Sequence, residues 1–160
     1  MPKPKIKAYL DTTIPSFYHD TRRKSQGWRA ITREWFDSCG DAWEFWSSEI
    51  TLAELSDGEY PEKTDTLSFM RNIRILDEAP DIREIAQYYI DAMLMPKNPP
   101  DDAYHLAYTS FHKMEYLVSW NYDHLVNTNK KTHINIANTR LGLRSPEIVS
   151  PMDLMRKDNQ

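Results

Sequence analysis

Apolar and polar residues alternate near the N-terminus, where Ile6, Ala8 and Leu10 are separated by Lys7 and Tyr9. This period of two predicts a β-strand, because successive side chains of a strand point to opposite faces of the sheet. Short stretches rich in β-branched and aromatic residues are typical of further strands. The pattern predicts four of them, over Ala42–Ser47, Ile73–Leu76, Glu115–Trp120 and Glu147–Ser150.

Between these strands, apolar residues recur every three to four positions, which is the period of an amphipathic helix. The predicted helices are Trp28–Phe36, Ile50–Leu55, Pro61–Arg71, Pro80–Met93, Asp101–Phe111 and His133–Leu143, with a last turn over Met152–Met155. Pro15 is expected to end the first strand. The polar segment 19–27 is expected to be a loop or the frayed start of a helix.

The alternation of predicted strands and helices indicates the fold class. Strands separated by helices of about ten or more residues pair in parallel, with helices on both faces of the sheet. We therefore expect an α/β fold with five parallel strands. Right-handed crossovers place the loops after these strands at one edge, where ligands of such sheets bind. The 160 residues are enough for one hydrophobic core, and we expect residues 1–160 to form a single domain.

Composition narrows the function classes. The chain has 24 acidic and 20 basic residues and a net charge of −4, so it carries no overall basic field for nucleic acid. A single cysteine, Cys39, excludes an internal disulfide and a cysteine-rich zinc site, and it is consistent with a cytoplasmic protein. The N-terminal sequence does not resemble a signal peptide, and no apolar run approaches the roughly 20 residues of a membrane span.

Four polar residues occupy positions that the predicted topology brings towards one edge of the sheet. Asp11 and Asn121 follow the first and fourth strands, Glu54 lies in the helix after the second strand, and Asp102 lies in the first turn of the helix before the fourth. Three carboxylates in one cleft repel each other unless a cation is present. Oxygen ligands favour Mg²⁺ or Mn²⁺, and magnesium held by few carboxylates usually acts on phosphates.

Each carboxylate also has a purely structural interpretation. Asp11 caps the following helix or turn in that interpretation, since aspartate is favoured at such positions. Glu54 points to solvent beside Glu49. Asp101 and Asp102 are acids in a helical first turn, where they complement the helix dipole.

Four motifs in this order and spacing together resemble the PIN domain, a family that includes the VapC-type toxins of toxin–antitoxin pairs. The motifs are Asp11–Thr13 after a strand, Leu52–Leu55, Asp102–Ala107 and Tyr116–Asn121, and the resemblance extends from about Ile6 to Pro151. It implies a three-layer α/β/α fold with a five-stranded parallel sheet. It also implies a Mg²⁺- or Mn²⁺-dependent ribonuclease that is the toxin of a type II pair, neutralised by a small antitoxin protein and able to form a homodimer.

Carried over to this chain, the resemblance implies that Asp11, Glu54 and Asp102 bind the metal. The fourth acid of the family falls on Asn121, which departs from the pattern because an amide carries no charge. The four residues form the expected catalytic site, with one metal better supported than two. Asp123 is a candidate to replace the missing acid.

Three neighbouring side chains are expected to support the acids. Thr12 and Ser119 have hydroxyls suited to hold a carboxylate or a bound water. His105, three residues after Asp102, is expected to be a packing or positioning residue and not a ligand.

A basic cluster lies between the first strand and the first predicted helix, with members Arg22, Arg23, Lys24, Arg29 and Arg33. One interpretation is a solvated helix face. The other is an electropositive rim beside Asp11 that contacts the RNA backbone.

Two other functions are compatible with the same residues. A PIN-fold protein with little or no nuclease activity, acting through RNA or protein binding, is favoured by Asn121 and by the negative net charge. A phosphatase with Asp11 as nucleophile is disfavoured, because phosphatases of the haloacid dehalogenase type place a second aspartate where this chain has Thr13.

Overall fold

The computed structural model describes residues 3–158 and contains one parallel sheet. Its strands are β1 (Ile6–Leu10), β2 (Trp43–Ser47), β3 (Arg74–Ile75), β4 (Tyr116–Val118) and β5 (Glu147–Val149). The order across the sheet is β3-β2-β1-β4-β5, and every neighbouring pair is parallel. The predicted five-stranded parallel sheet is therefore confirmed, and its strands are generally shorter than the predicted ones.

Eight α-helices connect and cover the described strands. They are α1 (Thr13–His19), α2 (Gln26–Ser38), α3 (Glu49–Ser56), α4 (Lys63–Met70), α5 (Pro80–Asp91), α6 (Asp101–Phe111), α7 (Thr128–Arg140) and α8 (Pro151–Asp158). Single 3-10 turns over Arg23–Ser25 and Gly40–Ala42 flank α2.

Three of these helices differ from the sequence prediction. Pro15 lies inside the first turn of α1, where a missing backbone N–H leaves no hydrogen bond unmade, so it does not simply end the strand. Helix α7 begins five residues earlier than predicted, because the Asn127 side chain accepts the N–H of Asn129 at 3.0 Å and caps it. The predicted last turn is a full helix, α8.

Two hydrophobic cores lie on opposite faces of the sheet. On one face, Tyr9 and Leu117 pack with residues of α5, α6 and α7. On the other, Ala8, Leu10 and Val118 pack with residues of α1, α2, α3, α4 and α8. The three β1 residues in these cores are fully buried, as expected for the central strand of a three-layer α/β/α fold.

The carboxyl ends of β1, β2 and β4 meet at the middle of the sheet. Leu10 pairs with Val118, and the backbone N–H of Asp11 donates to the Val118 carbonyl at 3.3 Å. The strands on either side of β1 belong to different halves of the chain, so the strand order reverses at this point. Ligands of open parallel sheets bind at such a reversal.

No helix within residues 3–158 has the length and apolar character needed to cross a membrane.

Candidate functional site

Asp11 is the most rigidly held carboxylate at this edge, and it is almost completely buried. Its Oδ1 accepts hydrogen bonds from the backbone N–H of Thr13, at 3.0 Å, and from the Thr13 hydroxyl. Its Oδ2 accepts the hydroxyl of Ser119, which confirms that Ser119 holds an acid. Because Thr13 is the first residue of α1, the bond to its N–H agrees with the turn-capping interpretation of Asp11, although the N-cap residue of the helix is Thr12.

The charge of Asp11 is poorly compensated within the described protein. Burial raises the pKa of its carboxyl group, and the nearby charge of His105 and the hydrogen bonds from Ser119 and Thr13 do not fully offset that rise. A bound cation would relieve this cost. An uncompensated buried carboxylate at the reversal of strand order is a feature of functional sites.

Glu54 faces the same site from α3. Its Oε1 accepts the Thr12 hydroxyl at 2.8 Å and lies 2.8 Å from Nε2 of His105. Burial raises the pKa of Glu54, but the hydrogen bond and charge of His105 and the hydrogen bond of Thr12 outweigh it, so the net pKa is lowered. The solvent-facing interpretation of Glu54 is therefore wrong, and the support expected from Thr12 is confirmed.

His105 lies buried on α6 at the centre of a hydrogen-bond chain. Its Nδ1 is 2.7 Å from the Tyr9 hydroxyl, which is 2.7 Å from Ser48 Oγ. Ser48 in turn accepts the backbone N–H of Ile50 and caps α3, the helix that carries Glu54. These hydrogen bonds thus fix both the side chain of Glu54 and the helix that carries it, in agreement with a positioning role for His105.

The acids around His105 favour its charged form. Burial lowers the pKa of His105, but the hydrogen bond to Glu54 and the charges of Asp11, Glu54 and Asp102 raise it by more, so the net pKa is raised. In the imidazolium form, Nε2–H donates to Glu54 and Nδ1–H donates to Tyr9. Burial also raises the pKa of the Tyr9 hydroxyl, which therefore stays neutral and donates to Ser48.

Sequence reasoning overlooked Tyr9. It lies between Ala8 and Leu10 in a strand that is buried on both faces. A tyrosine hydroxyl at such a position needs a hydrogen-bond partner, and this was the signal available in the sequence.

Asp102 and Asn121 form the other side of the site. The Asn121 amide donates from Nδ2 to Asp102 Oδ2 at 3.1 Å, and its Oδ1 accepts the backbone N–H of His124 at 3.0 Å. Asn121 therefore orients Asp102 in this arrangement. Both Asp101 and Asp102 lie in the first turn of α6, as the capping interpretation predicted.

Two further acids differ in their relation to the site. Burial, followed by the charge of Glu54, raises the pKa of Asp101, which places Asp101 in the electrostatic surroundings of Glu54. Asp123 is exposed, and its described hydrogen bond uses its backbone carbonyl, which accepts from Asn127. Asp101 is thus the better placed of the two to influence the site.

The side chains at this edge offer oxygen donors, the type of ligand that hard divalent cations bind. Within residues 3–158, no group of three or more His, Cys, Asp or Glu side chains is placed so that it could hold a metal ion. The carboxylate oxygens nevertheless fit the chemistry, because Glu54 Oε2 and Asp102 Oδ1 accept no hydrogen bond from that part of the chain. A Mg²⁺ or Mn²⁺ ion would be held by these oxygens and Asp11.

The basic cluster is only partly available for binding. Arg22 makes a bidentate ion pair with Asp20. Arg33 donates to the Tyr18 carbonyl at 2.7 Å, and its guanidinium lies over the Tyr18 ring. Arg23, Lys24 and Arg29 make no side-chain hydrogen bond or ion pair within the described residues, and Arg23 and Lys24 are exposed. A groove of about 610 Å³ that opens beside Glu54 is lined by five acids and by one basic residue, Arg22. RNA contact by all five basic residues stays a prediction.

Comparisons with known proteins address the fold. The chain is similar to one chain in the crystal structure of VapBC2 from Rickettsia felis bound to a DNA fragment from their promoter. The TM-score is 0.58 and the identity 15%, and the match covers 91% of this chain and 98% of that chain. No protein-family model and no curated protein matches the chain. The structural likeness, together with the sheet order, confirms the expected PIN-like α/β fold.

Proposed function

We propose that the chain is a metal-dependent ribonuclease and the toxin of a type II toxin–antitoxin pair, acting in the cytoplasm. The observation that carries this proposal is that Glu54 is hydrogen-bonded to His105 at the carboxyl edge of the central strands, where the charges of Asp11 and Asp102 also help to raise the pKa of His105. The three acids lie just after β1, in α3 and in α6, so the fold places them in one electrostatic environment. The likeness to a chain of VapBC2 supports a toxin-like fold and a small antitoxin protein as partner.

The roles of the side chains follow from how each is held. Asp11 is fixed by Thr13 and Ser119 and is the rigid ligand of the expected Mg²⁺ or Mn²⁺. Asp102, oriented by Asn121, offers its remaining oxygen as a second ligand. When bound, the metal supplies Lewis-acid activation of a phosphodiester and of the attacking water.

Glu54 has two tasks in the proposed reaction. Its Oε1 is occupied by Thr12 and His105, which leaves Oε2 to bind the metal or to orient the attacking water. Its lowered pKa keeps it ionised at neutral pH. Water attacks phosphorus and gives its proton to solvent, a new P–O bond forms, the P–O bond to the leaving nucleotide breaks, and the departing oxygen takes up a proton from solvent. The RNA backbone is proposed to approach over the basic cluster, and a homodimer is a further expectation.

The test is an RNA-cleavage assay on purified wild type and Asp102→Asn with Mg²⁺, Mn²⁺ or a chelator. We expect wild type to cleave a mixed RNA pool only with metal, and Asp102→Asn to be about 10- to 100-fold slower, because it weakens the metal site. Equal cleavage by both proteins, or cleavage in chelator, contradicts the proposal. Metal-dependent melting without any cleavage would favour the PIN-fold protein that acts through binding alone.

The series of hydrogen bonds that joins Tyr9, His105 and Glu54 gives a second expected result. Tyr9→Phe removes the hydroxyl between His105 and Ser48 and leaves buried polar groups unpaired, at a cost of about 1–3 kcal/mol. We expect the melting temperature to fall by about 2–12 °C. Because Glu54 is then less well fixed, Mn²⁺ affinity, measured by titration of the melting temperature, should fall about tenfold.

Tyr89→Phe is a matched control for Tyr9→Phe. Tyr89 is also fully buried, and its hydroxyl contacts Ser110 and Asn138 in the core formed by α5, α6 and α7. We expect a similar loss of melting temperature without a change in Mn²⁺ affinity. Equal losses of metal affinity in both variants would mean that the Tyr9 hydroxyl contributes to stability alone.

A further inference from the structure

Two large aromatic side chains are exposed and contact each other at the loop after β4. Trp28 in the first turn of α2 is 38% exposed, and Tyr122 in the loop after β4 is 42% exposed. Their rings meet edge to face, with centroids 6.1 Å apart. Both also pack on Trp120, which is buried and held by a hydrogen bond from its indole N–H to the Thr32 hydroxyl at 2.8 Å. Trp28, Trp120 and Tyr122 are called the aromatic platform below.

The aromatic platform is connected directly to the acids. Trp120 and Tyr122 are the residues on either side of Asn121, which binds Asp102. The backbone N–H of Trp120 donates to the Thr13 hydroxyl at 2.9 Å, and that hydroxyl donates to Asp11. The exposed rings are therefore connected, through Trp120 and the backbone on either side of Asn121, to the groups that are proposed to hold the metal.

The surroundings of the aromatic platform match the chemistry of a nucleotide. A groove of about 420 Å³ has Tyr122 in its lining, together with Lys131, Lys157, Asn135, the acids Glu147 and Asp153, and several apolar residues. The Asn135 amide can bind a base edge and Lys131 can bind phosphate, whereas both amide atoms of Asn127 are used within the protein. On the other side, Lys24 lies in the segment that leads into α2 and Trp28. Exposed rings with lysines and an amide nearby suit a nucleic acid.

We propose that Trp28 and Tyr122 stack on an unpaired base of single-stranded RNA and so place the adjoining phosphodiester at Asp11 and Asp102. This inference rests on the proposed ribonuclease function and adds to it the side chains that position the substrate. A base can stack on an aromatic ring only when it has left its own helical stack. Double-stranded RNA is therefore a poor substrate.

The test combines a protein change with an RNA change. Binding of a fluorescent single-stranded RNA in chelator is measured by anisotropy for wild type, Trp28→Ala and Tyr122→Ala. The same proteins are tested with RNAs that lack one base at each position in turn. We expect each alanine variant to weaken binding of intact RNA by about 5- to 150-fold. At one position, loss of the base should weaken RNA binding by wild type by a similar factor and leave the RNA affinity of the alanine variants almost unchanged.

Conservative variants separate stacking from stability. Trp28→Phe and Tyr122→Phe keep a ring and should retain most of the RNA affinity. They replace the alanine variants in the binding test if an alanine variant melts at a lower temperature. Ile136→Ala removes another exposed apolar side chain, on α7, and should leave RNA affinity unchanged.

The outcomes distinguish this inference from the proposed function. Suppose that wild type cleaves RNA, but that at every position the loss of a base weakens RNA binding by the same factor in wild type and in Trp28→Ala. The aromatic platform then does not stack on a base, and the proposed ribonuclease function is unaffected. Unchanged RNA affinity in Trp28→Ala and Tyr122→Ala overturns the inference too, and would leave a protein segment as the occupant. If wild type neither binds nor cleaves RNA in the first assay, the proposed function fails and this inference fails with it.

Discussion

Asp11→Asn is expected to lower the rate of RNA cleavage by about 100-fold or more and to raise the melting temperature in chelator. The rate falls because the rigid metal ligand loses its charge, and even residues that only support a ligand contribute 10- to 100-fold. Stability rises because the buried carboxylate is poorly compensated without metal, as its raised pKa indicates. A residue that lowers stability and raises activity is typical of a functional site.

The geometry around Asp11 allows the amide to fit. Its oxygen can keep the hydrogen bonds from Thr13, and its Nδ2 can donate to Ser119 Oγ, whose hydroxyl proton can turn away. Because the folded-state pKa of Asp11 is raised, its destabilising effect is present above that pKa and disappears as pH falls towards about 3.9. The gain in melting temperature should therefore shrink in acid.

The measurements for Asp11→Asn are cleavage rates with Mn²⁺ and thermal melts in chelator between about pH 4.5 and 8. Asp41→Asn is the control, since Asp41 is an exposed acid in the turn Gly40–Ala42, and neither quantity should change. A lower melting temperature for Asp11→Asn in chelator would show that the hydrogen bonds of the carboxylate outweigh its burial. An unchanged cleavage rate would remove Asp11 from the chemistry.

The hydrophobic pattern was sufficient to predict the sheet, because a buried strand such as β1 leaves a clear alternation in the sequence. It fails at α1, because Pro15 can end a strand but proline is also favoured in the first turn of a helix. It failed at the start of α7 because residues 128–132 are polar and the cap on Asn127 is a local hydrogen bond. Such starts depend on capping geometry more than on hydrophobic period.

The candidate site was predictable only in part, because its residues meet through topology. Strand ends point to Asp11 and Asn121, helix positions relative to the strands point to Glu54 and Asp102, and the motif resemblance supports all four. The contact between Tyr9 and His105 joins residues 96 positions apart and follows no sequence period. The ion pair between Arg22 and Asp20 could not be predicted either, since the sequence shows the cluster of basic residues but not which of them form ion pairs within the protein.

His105→Ala is expected to lower the melting temperature by about 6–12 °C near pH 6, which corresponds to about 3 kcal/mol. The change leaves a cavity in the core and removes the partner of both Glu54 and Tyr9. His112→Ala is the control on the same side of the sheet. His112 bonds the Asp77 carbonyl from the less buried end of α6, and its loss should cost about 1 kcal/mol.

The pH dependence identifies the charge on His105. Its raised folded-state pKa means that its stabilisation is fully present below about pH 6.5 and is lost as pH rises through that folded-state pKa. The lowered pKa of Glu54 means that its stabilisation is present above about pH 4.3 and is lost in stronger acid. The pair should therefore stabilise the protein most between about pH 4.5 and 6.5.

A variant that keeps the donor but removes the charge isolates this effect. His105→Gln can still donate to Glu54, so it should melt above His105→Ala but lose the fall in stability between about pH 6 and 8. Because Asp11 changes stability in the same direction and its charge also helps to raise the pKa of His105, the melts are made in chelator both with Asp11 and in the Asp11→Asn background, where the part of the pH slope that His105 contributes should be smaller. If His105→Gln keeps the wild-type pH slope there, His105 is neutral in the folded protein. Glu54 would then be held by a neutral hydrogen bond. The negative charges of Asp11, Glu54 and Asp102 would then be compensated by a bound metal alone.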